Sequence, residues 1–224
     1  MTPRAYKIFP LGDGALTVEF GRTIAIGLNQ EALKLAATLD TNRFEGFLEA
    51  VPAYSSTTVF FDLKKVRTAF PEFKSAFAAV SNYIESSIAD FVLTAHSSRE
   101  INIPVEFDGE DLPVVAEFAG LSPPDVIEIF AEAIYRVYML GFLPGFAYMG
   151  EVNARIAAPR RSSPRTKVQK GSVGIAGTQT GIYPLDSPGG WQIIGHTLVE
   201  LFDPDSEEPC LVRPGDEVRF TPLG

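Results

Sequence analysis

The chain has 224 residues, 46% of them hydrophobic and 11% aromatic with 17 phenylalanines, enough for one large core or two of ordinary size. Its net charge of −9 excludes a general nucleic-acid binder, because neutralising phosphates takes a broad basic face. Cys210 is the single cysteine and His96 and His196 are the two histidines, which excludes a disulfide framework, a thiolate metal cluster and a histidine-rich zinc site.

The opening MTPRAYKIFPLGDG has no charged stretch followed by an apolar core, so it is not read as a signal peptide. No apolar run approaches the ~20 residues that a membrane span needs, and the expectation is a cytoplasmic protein. Residues 5–9 and 15–20 read as short strands joined by a Pro-Leu-Gly-Asp-Gly turn. Ile24, Leu28, Leu33, Leu35 and Leu39 follow a helical period. Residues 47–51 and 57–61 are strand-like, the second β-branched and aromatic. Residues 71–88 form a second amphipathic pattern through Phe73, Phe77, Val80, Ile84 and Ile88, with Pro71 near its start. The order ββαββα predicts an α+β unit, two helices on one face of an antiparallel sheet.

The pattern thins around residues 90–99, and a domain boundary near residue 95 divides the chain into 1–95 and 96–224. A strand is expected over 101–107 and a short helix over 112–119. The next helix opens with Ser122 as N-cap, Pro123 at its first position and Asp125 at its third, close to a capping box. From Tyr135 onward YRVYML, KVQKGSVGIA, TGIYPLD, WQIIGH, LVELFD and EVRFTP are short β segments punctuated by glycine and proline, a spacing that suits a compact β-barrel.

Arg155, Arg160, Arg161, Arg165, Lys167 and Lys170 fall in a stretch with no acid from Val152 to Leu185. This local reversal of charge points to a site for an anion or an acidic partner. The alternative is a solvated basic loop.

The motifs GFLPGFAYMG, APRRSSPRTKVQKGSVGIAGTQTGIYPLDSPGGWQIIGHT and RPGDEVRF, with PLGDGALTVEFG and VPAYSSTTVFFD in the first half, resemble the allophanate hydrolase subunit 1 family, which includes a subunit of 5-oxoprolinase and the kinase A inhibitor. The resemblance implies a ferredoxin-like first domain and a cyclophilin-like β-barrel second domain. It also implies work with a second barrel subunit and a third subunit, opening 5-oxo-L-proline to L-glutamate at the expense of ATP, with this chain inactive alone. Two rival implications are inhibition of a sensor histidine kinase and a part in urea or allophanate metabolism. The sequence departs from the family pattern in having Phe130 five residues before Tyr135, where histidine is usual, and His196 where arginine is expected.

In that setting Arg161 and Arg165 are candidate catalytic cations, and Arg160 and Lys167 candidate clamps for substrate or ATP phosphates, arginine being the better bidentate ligand of oxyanions. There is no GxxxxGK[ST] loop, and KGSVGIAG at 170–177 lacks the spacing of a phosphate cradle, so ATP is expected at a site shared with partner subunits. Gln179, Thr180 and Tyr183, read as a glycine-flanked loop, are candidates to hydrogen-bond a small polar ligand. Trp191 with Gln192 is a candidate pocket wall, or else a plug of the barrel core. His196 is a candidate base, with a structural role as its alternative. Glu106, Asp108, Glu110 and Asp111 read as solvated acids at a helix start, with a paired-carboxylate role as the alternative.

Overall fold

The computed structural model describes residues 6–89 and 98–223. Ala5, the boundary expected near residue 95, and His96 lie outside the described residues. The chain divides into two compact units, Met1–His96 and Ser97–Gly224.

The first unit is a four-stranded antiparallel sheet backed by helices. Strands β1 (Lys7–Pro10), β2 (Ala15–Glu19), β3 (Phe47–Pro52) and β4 (Ser56–Phe61) pair in the order β1-β2-β4-β3. Alternation along the strands turns Leu16, Val18, Val59 and Phe61 toward one face. Helix α1 (Ile26–Thr41) lays Ala32, Leu35, Ala36 and Leu39 on that face, at i, i+3, i+4 and i+7. The one polar side chain fully buried among them on β4, Thr57, donates its hydroxyl to Ala32 O at 2.7 Å.

The helix expected over 71–88 starts five residues late, and a short helix that the pattern did not predict precedes it. Helix α2 (Leu63–Ala69) starts at Asp62, whose carboxylate caps Lys65 N at 2.9 Å, and it ends at Phe70, just before Pro71. Helix α3 (Ala76–Ala89) starts only after Ser75, whose hydroxyl accepts from Ala78 N at 3.1 Å. Phe73 meets the core from the turn between them. The resulting order, ββαββαα, differs from the β-α-β-β-α-β order of a ferredoxin-like motif, so what the unit displays is the coarser class, mixed α+β.

The second unit carries a seven-stranded sheet that closes nearly into a barrel. Its strands are β5 (Glu100–Val105), β6 (Ile134–Leu140), β7 (Ala147–Gly150), β9 (Ser172–Ala176), β10 (Gln179–Ile182), β12 (Gln192–His196) and β13 (Glu217–Pro222), in the order β12-β9-β10-β7-β6-β13-β5. Only β13 and β5 run parallel. A separate pair, β8 (Arg165–Val168) with β11 (Ser187–Gly189), is antiparallel. The LVELFD segment forms no strand; its pairing is reduced to one bridge between Phe202 and Cys210, with Pro204 and Pro209 in the intervening turn.

The ring is closed by the chain that continues β5. Glu106 bridges His196 of β12, and Gly109 N and Asp111 N donate to Ile194 O and Ile193 O at 3.2 and 2.9 Å. A Cβ on Gly109 would lie 2.3 Å from the Ile194 carbonyl carbon, so only glycine admits this approach. Beyond the seam, helix α4 (Leu112–Ala119) and helix α5 (Pro123–Glu132), the latter opened by the Ser122–Asp125 capping box, bury Leu112, Val115, Val126 and Phe130 against the barrel core.

Candidate functional site

The same period of two that fills the barrel also builds a second apolar cluster on the opposite face of its strands. Ile175, Ile182, Ile194 and Ala147 belong to the barrel core, whereas their chain neighbours Ala176, Tyr183, Ile193 and Phe146 belong to a separate cluster with Val168 and Trp191. Phe146 is its centre, edge-on to Tyr148, Tyr183 and Trp191 with centroids 4.9, 5.3 and 5.4 Å away. Gly181 makes this packing possible, since a Cβ there would meet Ala147 O at 2.7 Å and crowd the Phe146 and Trp191 rings. Phe142, 60% exposed and at the left-handed φ of 71°, stands edge-on to Phe146 at 5.5 Å. That backbone conformation is unusual for a bulky residue and is tolerated where surrounding structure enforces it.

The basic segment borders this aromatic cluster. Arg161 N donates to Gly190 O at 2.8 Å, and Gln192 Nε2 donates to Pro159 O at 2.9 Å, which pins the chain on both sides of Arg160. The Arg160 guanidinium lies over the Trp191 ring, 5.7 Å from its centroid. Arg161 Nη1 and Arg165 Nη2 both donate to Asp111 Oδ1, at 2.9 and 2.7 Å, while Asp111 Oδ2 accepts from Ile193 N at 2.7 Å. Arg165 also pairs through Nε with Glu110 at 2.7 Å. The Asp111 side chain is 3% exposed, Arg165 15% and Arg161 35%. Burial works against the Arg165 charge, but the hydrogen bonds and charges of Asp111 and Glu110 outweigh it and hold its pKa above the usual arginine value. Burial raises the Tyr183 pKa, with a hydrogen bond from the Trp191 backbone and the Arg160 charge opposing it. Arg161 Nε and Gln192 Oε1 are buried without a hydrogen-bond partner among the described residues.

A family model described as "Carboxyltransferase domain, subdomain C and D" matches residues 6–212. The chain belongs to that family. It is 45% identical to a 5-oxoprolinase subunit of Bacillus subtilis over 98% of this chain and 93% of that protein. The corresponding 5-oxoprolinase subunit of Escherichia coli O157:H7 is 39% identical over 96% of this chain and 95% of its own length. These relatives bear out the resemblance read from the motifs. Among solved structures, TTHA0988 superposes with a TM-score of 0.81 at 38% identity; the match covers 94% of this chain but only 40% of that one. The chain thus spans well under half of that longer polypeptide.

Against this family background the residues singled out by the sequence separate into three groups. Arg160, Arg161, Arg165, Tyr183, Trp191 and Gln192 come together around the aromatic cluster. Lys167 pairs with Asp186 at 2.8 Å, further along β8. His196 stands apart: it is five residues along the chain from Trp191, about 16 Å at strand rise. Its Nε2 is bound to Lys170 O at 2.9 Å.

Two readings need correction, that of Gln179 with Thr180 and that of Asp111. Gln179 and Thr180 lie on strand β10, not in a loop, and Thr180 is fully buried with its hydroxyl on Gly174 O at 2.9 Å, facing away from Tyr183. The backbone donors of the glycine-rich 170–177 stretch are already engaged: Lys170 N by Asp186, Gly171 N by Tyr183 O, Ser172 N by Gln169 O and Gly177 N by Ala158 O. They form no phosphate cradle. Asp111 is the opposite of a solvated acid, being buried beneath two arginines. Sequence reasoning missed it because its partners lie 50 and 54 residues away; the clue was the glycine two residues before it.

Phe130, the departure from the family pattern, is fully buried, its ring 4.9 Å from Tyr135, 5.0 Å from Phe220 and 5.9 Å from Phe107. Tyr135 donates its hydroxyl to Phe130 O at 2.9 Å, and burial pushes its pKa up. Position 130 is therefore a core position on α5, part of the barrel core and not of the aromatic cluster beside the arginines.

Proposed function

We propose that this chain is a subunit of an ATP-dependent 5-oxoprolinase complex that opens 5-oxo-L-proline to L-glutamate in the cytoplasm, and that it acts only with partner subunits. The observation that carries this reading is near-full-length similarity, at 45% and 39% identity, to proteins named as subunits of 5-oxoprolinase. The arginine-bordered aromatic site supports it, since it offers positive charge and apolar ring faces to a small anionic ring. Among the described residues the histidine, His196, is held by Lys170 O away from the arginines, and no cluster of metal-ligating side chains occurs. That is the equipment of a binding half-site, with the remaining groups supplied by partners.

Opening a lactam needs an activated amide oxygen, and ATP supplies that activation. The residues present do not fit ATP as a resident ligand, because the glycine-rich backbone donors are spent within the fold and Lys167 is matched by Asp186. Nucleotide binding is assigned to a partner or to a surface completed by one. The contribution of this chain is to bind and orient the anionic substrate and to keep water from it.

The test is 5-oxoproline-dependent ATP hydrolysis by the two partner subunits with this chain omitted or added. Turnover that requires the chain supports the reading. Turnover that depends on urea instead assigns the chain to urea metabolism, where the urea amidolyase of Saccharomyces cerevisiae, 25% identical over 95% of this chain, belongs by name.

A further inference from the structure

Three arginines meet two carboxylates at the border of the aromatic cluster, and the charges do not balance. Asp111 takes one hydrogen bond from Arg161 and one from Arg165, and Glu110 takes a second from Arg165. Arg160 is left over. It is exposed, it lies over Trp191, and no acid among the described residues pairs with it. The site therefore carries one net positive charge, and that charge sits on the side chain of the three that makes no hydrogen bond or ion pair among the described residues.

The other two arginines are not free. Asp111 is held by three donors, the third being Ile193 N. Turning Arg161 or Arg165 outward would strip a buried carboxylate of its partners, which is strongly unfavourable. Arg160 has the reverse arrangement. Its neighbours are pinned, Pro159 by Gln192 and Arg161 by Gly190, while its own guanidinium makes no hydrogen bond among the described residues. A guanidinium lying against an aromatic ring keeps its N–H fork available at the edge for bidentate binding of a carboxylate.

We propose that Arg160 is the ligand-binding arginine of this site and takes a single small carboxylate beside Trp191, and that Asp111 is a positioning residue that keeps Arg161 and Arg165 from the ligand and so sets the selectivity for one negative charge. The proposal rests on the substrate class inferred above and names the group that recognises it. A fully exposed trio of arginines would prefer phosphate or a dianion; the trio held by Asp111 presents only one unmatched cation.

Trp191 is the only tryptophan in the chain, so its fluorescence in the purified full-length protein reports on Arg160 directly. The titrants are 5-oxoproline, 2-pyrrolidinone, which is the same lactam without the carboxylate, and inorganic phosphate. The wild-type chain is expected to respond saturably to 5-oxoproline, about tenfold more weakly to 2-pyrrolidinone, and little to phosphate. Arg160→Ala is expected to make the two lactams equally weak, and Arg160→Lys to restore part of the preference. Asp111→Asn is expected to gain at least tenfold in phosphate response, and Asp111→Glu, which keeps the charge, to restore the wild-type selectivity. A preference for 5-oxoproline that survives Arg160→Ala overturns the assignment of Arg160. Phosphate selectivity that is unchanged in a folded Asp111→Asn reduces Asp111 to a structural residue; if that variant does not fold, loss of selectivity in Asp111→Glu contradicts the proposal instead. No response of the wild-type chain to 5-oxoproline removes carboxylate binding from this chain. An assembled complex without 5-oxoproline-dependent ATP hydrolysis, combined with an Arg160-dependent response of Trp191, sinks the functional reading and leaves the carboxylate site standing.

Discussion

Asp111 and Ile193 are joined by a carboxylate-to-backbone hydrogen bond of 2.7 Å on the seam that closes the barrel, and the same carboxylate holds Arg161 and Arg165. Closing the fold and assembling the arginine site are thus one event. Removing the carboxylate leaves the Arg161 guanidinium and a buried N–H without their acceptor, and leaves Arg165 only the exposed Glu110 and the Trp191 carbonyl. Asp111→Ala is expected to destabilise the protein by about 3–5 kcal/mol, the usual cost of breaking a buried ion pair. Urea unfolding of the full chain measures it, and a loss below about 1 kcal/mol, the worth of an exposed pair, would mean that the seam stands without Asp111.

Gly109 lies at the same seam with the Ile194 carbonyl carbon and Ile193 O only 2.3 and 2.4 Å from where a Cβ would sit. Both are backbone atoms, which cannot swing aside as a flexible side chain does. Gly109→Ala should cost about 3 kcal/mol, the upper range for overpacking, and should loosen the arginines along with the barrel. Gly27→Ala, where nothing lies within 4 Å, is the control and should change the urea midpoint little.

Phe130 occupies a fully buried position between Tyr135 and Phe220, so restoring the histidine of the family pattern would exchange an apolar ring for a polar one in the core. Phe130→His is expected to cost about 2 kcal/mol, the penalty for burying a polar group with incomplete hydrogen bonding, and to leave 5-oxoproline-dependent turnover of the complex no higher. A rise in turnover would show that position 130 communicates with the chemistry and that the chain as it stands is a weakened enzyme.

What the sequence made legible was set by local rules. The short β segments punctuated by glycine and proline, the helical stripe of α1 and the Ser122–Asp125 capping box each depend on residues a few positions apart, and each could be read directly. The late start of α3 was hidden because Phe73 keeps the helical period while sitting in the turn before it, and α2 is too short to show a period of its own. Thr180 was misplaced for a related reason. Its glycine neighbours read as loop, whereas Gly181 is there to admit the Phe146 and Trp191 rings against a strand. The concentration of arginines was visible, but which arginine is matched by which acid depends on contacts fifty residues apart, and no local pattern encodes them.

Acid should weaken the fold through specific exposed carboxylates. Asp186 has its pKa lowered chiefly by the hydrogen bond from Lys167, then by the one from the Lys170 backbone, and Asp125 has its pKa lowered by the Ser122 hydroxyl and backbone. A carboxyl group whose folded pKa lies below its unfolded value of 3.8 contributes stability that is fully present above that value. The contribution is lost as pH falls through the lowered folded pKa, because the unfolded state takes up the proton first. Thermal unfolding of the wild type should therefore show a midpoint that declines below about pH 4. In Asp186→Asn part of that decline should vanish, since the amide does not titrate, while the midpoint at pH 7 should fall slightly through loss of the Lys167 pair. An acid limb identical in the two proteins would mean that the contacts of Asp186 with Lys167 and the Lys170 backbone contribute nothing in solution. The turn that joins β8 to β9 would then owe its position to its other contacts, the backbone hydrogen bonds of Gly171 and Ser172 and the His196 and Glu200 contacts of Lys170 among them.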